Sequence, residues 1–143
     1  MIKLHTKFNE LCAAFLAPVA NLWARIYLGW YVFFSSGLAK LDDMEETIEL
    51  FDAAEDGEFA LPFLPAEPAA YMATAGELIL PILLILGLFT RFSAAGLFVM
   101  SAVIQFFVFP EQLHIMWMIV FAMLVGTGGG KLSLDYWLLN LKK

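Results

Sequence analysis

The chain is poor in the residues that self-contained redox or nucleotide chemistry needs. Of its 143 residues one is cysteine and two are histidine. Cys12 alone builds neither a disulfide framework nor a dithiol relay within one chain. A haem clamped by two histidines needs them at matched depth, and His5 and His114 fall near opposite faces of the apolar region. Eight Lys and Arg stand against fourteen Asp and Glu, with a net charge of −6, so there is no basic patch for a nucleic acid to meet. The glycines at 126 and 128–130 resemble a phosphate loop only superficially. Val125 stands where the first glycine of that loop belongs, and Leu132 stands where a Ser or Thr must follow Lys131. Helix termination is the simpler role for them. The acidic residues lack the D-x-D-x-D-G spacing of a calcium loop. No haem, flavin, nucleotide or bound metal is expected.

What fills the chain instead is apolar. Hydrophobic residues make up 62% and charged residues 15%, with mean hydropathy +0.79, far from the roughly half-apolar, quarter-charged mixture of soluble domains. The apolar residues come in blocks, and about 20 of them are needed to cross a bilayer core. The expected fold is an all-α integral membrane four-helix bundle forming a single domain, 1–143, with spans at about 22–40, 69–89, 92–109 and 113–127. Thr90 and Arg91 make the turn between the second and third spans, which must be antiparallel neighbours. N- and C-terminal interfacial helices complete it. The first, with Leu4, Phe8, Leu11, Cys12, Phe15 and Leu16 at helical spacing, is expected to end at Pro18. The last carries Trp137, Leu138 and Leu141. A cleaved leader over residues 1–20 is disfavoured because no clear A-x-A site follows.

Charge sets the orientation. With the N-terminus inside, Lys3, Lys7, Arg91, Lys131, Lys142 and Lys143 all fall on the cytoplasmic side and only Lys40 on the outer side. Both termini are therefore expected to be cytoplasmic, in a cell (inner) membrane. The outer loop, 41–68, holds ten of the fourteen acidic residues. In it DDMEETIELFDAAEDG carries a helix-start signal at Asp42 or Asp43 and an apolar face of Met44, Ile48 and Phe51. The three prolines of EFALPFLPAEP predict an irregular stretch across the outer mouth.

Polar groups inside apolar spans carry the functional signal, because an ionisable side chain in hydrocarbon costs several kcal/mol unless it faces the bundle interior and finds a partner. Glu77 opens an otherwise apolar run. Arg25, Gly29, Ser36 and Lys40 fall on one stripe of the first span, and Ser101 and Gln105 form an i, i+4 pair in the third. Glu77, Ser36, Gln105 and His114 lie in the outer half, while Arg25 lies about 12 Å further inward at 1.5 Å per residue. A direct Glu77–Arg25 pair needs both side chains extended, so water or a ligand between them is at least as much expected. The bland alternative is that these groups only staple the helices together.

Three stretches, RIYLGWYVFFSSGLAKL (25–41), GELILPILLILGLFTRFSAAG (76–96) and GGGKLSLD (128–135), resemble the DoxX family of small four-helix membrane proteins. Arg-x-x-Leu-Gly, Gly-x-x-Lys at the end of the first span, and Glu followed by Gly-Leu-x-Thr-Arg are together fairly specific. Ser36 stands beside Gly37 where many members carry histidine. The resemblance implies the fold, and through family names it invokes quinone-linked oxidoreductases, oxidative-stress complexes and partners in metal-responsive operons, with no universal catalytic residue.

The reading that follows is a membrane subunit that binds quinone or quinol for an oxidoreductase system and has no redox centre of its own. Glu77 is its proton-handling residue. Arg25, Ser36, Lys40, Gln105, His114 and Trp117 are its binding groups, with Trp30, Phe33 and Phe34 lining an apolar slot. Its partners are the lipid bilayer and a soluble or membrane oxidoreductase, with homo-oligomerisation left open. The alternative is a non-enzymatic membrane partner or scaffold in a stress- or metal-responsive system that docks a soluble protein through the acidic outer loop.

Overall fold

The computed structural model describes residues 2–55, 64–108 and 111–141, and within them every regular element is helical. Residues Ile2 to Asp42 form one continuous helix: α1 (Ile2–Leu11), α2 (Ala17–Val32) and α3 (Leu38–Asp42), joined by the π-helical turns Cys12–Leu16 and Phe33–Gly37. After a break at Asp43 come α4 (Met44–Glu55), α5 (Ala66–Leu86), α6 (Thr90–Val103) extended by the π turn Ile104–Val108, α7 (Gln112–Thr127) and the short α8 (Leu134–Asn140). The stretches His5–Asp42, Ala66–Leu86 and Thr90–Phe107 are each long and apolar enough to cross a membrane, and α7 is a shorter apolar helix.

The N-terminal segment differs from expectation. Pro18 does not end a separate interfacial helix, because it sits at the first positions of α2, where its missing N–H costs little. The π turn immediately before it, closed by Ala17 N–H to Cys12 C=O, makes room for the pyrrolidine ring. Residues 5–17 are exposed except for half-buried Cys12, whereas Asn21 is buried against the end of α7. The helix therefore runs past the bundle at that end. Prolines 62 and 65 flank the other difference: the predicted irregular segment 58–68 lies largely outside the described residues, and from Ala66 onward it is already helix α5.

In α4, Asp43 accepts a hydrogen bond from the N–H of Glu46 at 2.9 Å and so caps the helix that the acidic pattern predicted. Thr47 is buried, while Glu45, Glu46 and Glu49 face out. The main bundle packs α2 on α5, α5 on α6 and α6 on α7, around a core of Leu28, Val32, Leu84, Ala94, Leu97, Trp117, Phe121 and Leu124. Lipid gives no hydrophobic drive between helices, so close backbone approach must supply the packing. Glycine provides it between α2 and α5, where a side-chain carbon on Gly29 would stand 3.1 Å from the Pro81 carbonyl oxygen; on α6, Gly96 makes room for the Leu80 side chain, 2.6 Å from where such a carbon would stand.

Candidate functional site

The buried polar residues divide into two groups at opposite ends of the bundle. At the end that carries the glycine run, Arg25 is completely buried and is used up on the protein itself. Its Nε donates to Asn21 Oδ1 at 3.1 Å. Its Nη1 donates to the carbonyls of Leu84 and Ile85, both at 3.3 Å, and its Nη2 to that of Leu132 at 2.5 Å. The last carbonyls of α5 lack helical donors, and a cation placed there also complements the negative end of the helix dipole. Gly87 ends α5 with φ +70°, a left-handed residue that Leu88 N–H to Leu83 C=O closes as a Schellman turn.

The same end gathers the C-terminal segment. Asn21 Nδ2 donates to the Gly128 carbonyl at 2.9 Å. The Asp135 carboxylate accepts from Phe89 N–H, Thr90 N–H and the Thr90 hydroxyl at 2.8, 2.8 and 2.9 Å, capping the start of α6 from a distant point in the chain. Asp135 N–H in turn donates to the Gly87 carbonyl at 2.9 Å. Three of the motif stretches read in the sequence, around Arg25, Gly87–Arg91 and Gly128–Asp135, thus meet in one clasp whose polar groups are spent on holding backbone.

At the opposite, acidic end a second group faces a cavity. Lys40 Nζ lies 2.7 Å from Glu77 Oε2. Ser36 Oγ donates to the same Oε2 at 2.8 Å and accepts from Lys40 Nζ at 2.6 Å. The side chain of Glu77 is 4% exposed and that of Lys40 19%. The π turn Phe33–Gly37, closed by Leu38 N–H to Phe33 C=O, brings Ser36 and Lys40 over α5. Such turns concentrate at functional sites. The answer to why a carboxylate opens an apolar run is therefore Lys40, and Arg25 takes no part in it.

The triad borders a cavity of about 1180 Å³ whose rim includes Asp43, Glu46 and Glu111 and whose walls are mainly apolar. Tyr31 and Trp117 meet edge to face at 5.2 Å between α2 and α7, and Trp117 meets His114 at 5.5 Å. One face of α6, from Phe92 through Gly96 and Met100 to Val103, runs along it. Of the residues singled out in the sequence, the cavity gathers Ser36, Lys40, Glu77, His114 and Trp117. Gln105 is not in its lining; its Oε1 accepts the N–H of Glu111 at 3.0 Å and caps the start of α7. Arg25 is not in the lining either, and Trp30 and Phe34 pair with each other on the exposed side, 4.1 Å between ring centres. Tyr31, Thr47 and Ser101 line the cavity without having been assigned a binding role from sequence. Ser101 was visible as half of a polar pair, whereas Tyr31, 37% exposed, carries no such signal in the sequence. Among the described residues no three His, Cys, Asp or Glu side chains come together as a metal site.

The chain is 33% identical over 129 residues to a protein of Haemophilus influenzae described as uncharacterized, an alignment that covers 82% of each chain. No solved structure matches it. The DoxX family profile matches residues 20–110, from Ala20 through α6 and ahead of α7. The chain is a membrane protein that belongs to the DoxX family.

Proposed function

We propose that the cavity binds a quinone or quinol and that the protein serves an oxidoreductase system as its membrane subunit. The observation that carries this reading is the buried Lys40–Ser36–Glu77 triad opening on an apolar cavity. A group that only stapled helices would have no need to border a space of this size. Ligand sites typically enclose about 300–1,000 Å³ with a few convergent polar groups, so the cavity has room for a ring and several units of an apolar tail. The α6 face from Phe92 to Val103 offers that tail a groove about 17 Å long, at 1.5 Å per residue. Quinone supplies paired electron and proton transfer, and it dissolves in the bilayer. The chain's own residues contribute the rest: Lys40 and Glu77 hold the head group and its protons, Tyr31, His114 and Trp117 confine it, and a partner supplies the redox centre.

In this reading the chain has four spans in the inner membrane, with α7 as the shortest and both termini cytoplasmic. The triad then faces the outer half of the bilayer, and the acidic rim faces the outside.

A second reading rests on α4. Glu45, Glu46, Glu49 and Asp52 are exposed on that helix while Ile48 and Phe51 are half-buried, a geometry suited to docking a basic soluble partner. The two separate by experiment. Purified protein in dodecyl maltoside should bind decyl-1,4-benzoquinone or its hydroquinone, and Trp117→Ala should weaken that binding at least several-fold. Absence of binding, with a co-purifying protein lost on removal of residues 42–58, would favour the docking reading.

A further inference from the structure

We infer that the cavity selects a hydroxyl-bearing aromatic head, a phenol or hydroquinol, over the matching carbonyl compound. The inference rests on the quinone-site reading above and concerns which redox form the site holds.

It comes from counting donors and acceptors in the triad. The Lys40 ammonium has three N–H donors. Two are committed, one to Ser36 Oγ and one to Glu77 Oε2. The Ser36 hydroxyl gives its proton to Glu77 Oε2 and takes one from Lys40, so it has no donor left. Glu77 Oε2 receives both bonds. Glu77 Oε1 receives none among the described residues, although the side chain is 4% exposed and borders the cavity. The triad therefore presents one spare donor, on Lys40, beside one spare acceptor, on Glu77.

A carboxylate oxygen is acceptor-only, and a head group that fills the cavity beside it displaces the water that would otherwise meet it, so the head group must supply the donor itself. A quinone carbonyl is also acceptor-only. It can take the Lys40 donor, but it sets lone pairs against Oε1 and leaves that oxygen unmet. A phenolic hydroxyl satisfies both at once: its O–H donates to Glu77 Oε1 while its oxygen accepts from Lys40. The bond to Oε1 is charge-assisted, the stronger class of hydrogen bond. The Lys40–Glu77 pair has no net charge, so the head it favours is the neutral phenol and not a phenolate.

The test is a three-way comparison on the full-length protein in dodecyl maltoside under anaerobic, reducing or oxidising conditions. Binding of decyl-1,4-hydroquinone, decyl-1,4-benzoquinone and the hydroquinone dimethyl ether is measured by equilibrium dialysis. The hydroquinone should bind about 10- to 100-fold more tightly than either of the others, the range expected for one bond to a charged group. In Glu77→Gln the amide oxygen takes the Lys40 and Ser36 hydrogens and turns an N–H donor toward the cavity, so the preference should fall to parity or reverse toward the quinone. That ratio is internal to one preparation, and loss of folded protein does not move it; if this variant cannot be purified, the wild-type comparison decides alone. Quinone or dimethyl ether binding as tightly as hydroquinone overturns the inference while the cavity reading stands. No binding of any of the three overturns both.

Discussion

Gly37 lies directly against the backbone carbonyl of Glu77: a side-chain carbon on Gly37 would stand 2.8 Å from that oxygen and 3.0 Å from its carbon. Pro81, four residues on, has no N–H, so this carbonyl lacks its usual helical donor. The first helix can approach α5 here because Gly37 puts no side chain between the two backbones, and the approach is what lets Ser36 and Lys40 reach the Glu77 side chain.

Gly37→Ala is expected to destabilise the protein and weaken ligand binding. Gly37 has ordinary helical angles, φ −61° and ψ −49°, so alanine should gain about 1 kcal/mol in propensity. The clash is with backbone that cannot step aside, at a typical overpacking cost of about 1–3 kcal/mol. The net sign is destabilising. Gly126→Ala is the control, since nothing lies within 4 Å of its added carbon, and it should be neutral or stabilising by up to about 1 kcal/mol. Thermal unfolding in detergent reads both; a Gly37→Ala protein at least as stable as wild type would contradict the close approach.

The Lys40–Glu77 pair should show strong coupling. Lys40→Met strands a carboxylate with Ser36 as its one partner, and breaking a buried pair from one side costs about 3–5 kcal/mol. Because Lys40 is 19% exposed, the lower end is expected. Glu77→Leu together with Lys40→Met removes both charges and should recover most of the loss. A double-mutant cycle of denaturant midpoints that is additive within about 0.5 kcal/mol would mean that the pair does not hold the two helices together.

The helices were legible from their apolar blocks, and the inward facing of Glu77, Ser36 and Lys40 from the cost of a polar or charged group in an apolar span. The partner of Glu77 was harder to name. A helical wheel drawn at 100° per residue through Phe33–Gly37 ignores the wider π turn, which shifts the face of every later residue. Phe34 and Trp30 were assigned to the slot by residue type, yet both point outward. The clasp was read in part as a binding site because Arg25 looks like an intramembrane charge. Its partners are backbone carbonyls, which no side-chain pattern announces, and Asn21 and Asp135 sit where polar residues pass for ordinary loop or cap chemistry.

Arg25→Lys should loosen the C-terminal segment while leaving the cavity largely intact. Lysine keeps the charge but cannot serve Asn21, Leu84, Ile85 and Leu132 from one planar fork. Losing two such bonds in a buried place costs about 2–4 kcal/mol. Lys131 and Leu132 are exposed beside the clasp, so trypsin should cut after Lys131 about tenfold faster or more in the variant. Quinone binding, normalised to folded protein, should change little. An unchanged cleavage rate would show that Arg25 does not restrain this segment.

Cys12 reports the orientation of the whole chain. It is half-buried in the π turn before Pro18, on the part of the first helix that runs past the clasp end of the bundle. Arg91 and Lys131 lie at that same end, and Lys3 and Lys7 belong to the helix that extends from it, whereas Lys40 stands at the acidic end. Positive residues in short segments favour the cytoplasmic side, so the orientation proposed above puts the clasp end inside. The acidic helix α4 and the rim of the cavity then face outward. In intact cells a membrane-impermeant maleimide should leave Cys12 unlabelled, and permeabilisation should expose it. A cysteine introduced at Glu49 in a Cys12→Ser background should give the opposite result. Labelling of Cys12 with the membrane intact would reverse the orientation and place the cavity rim in the cytoplasm.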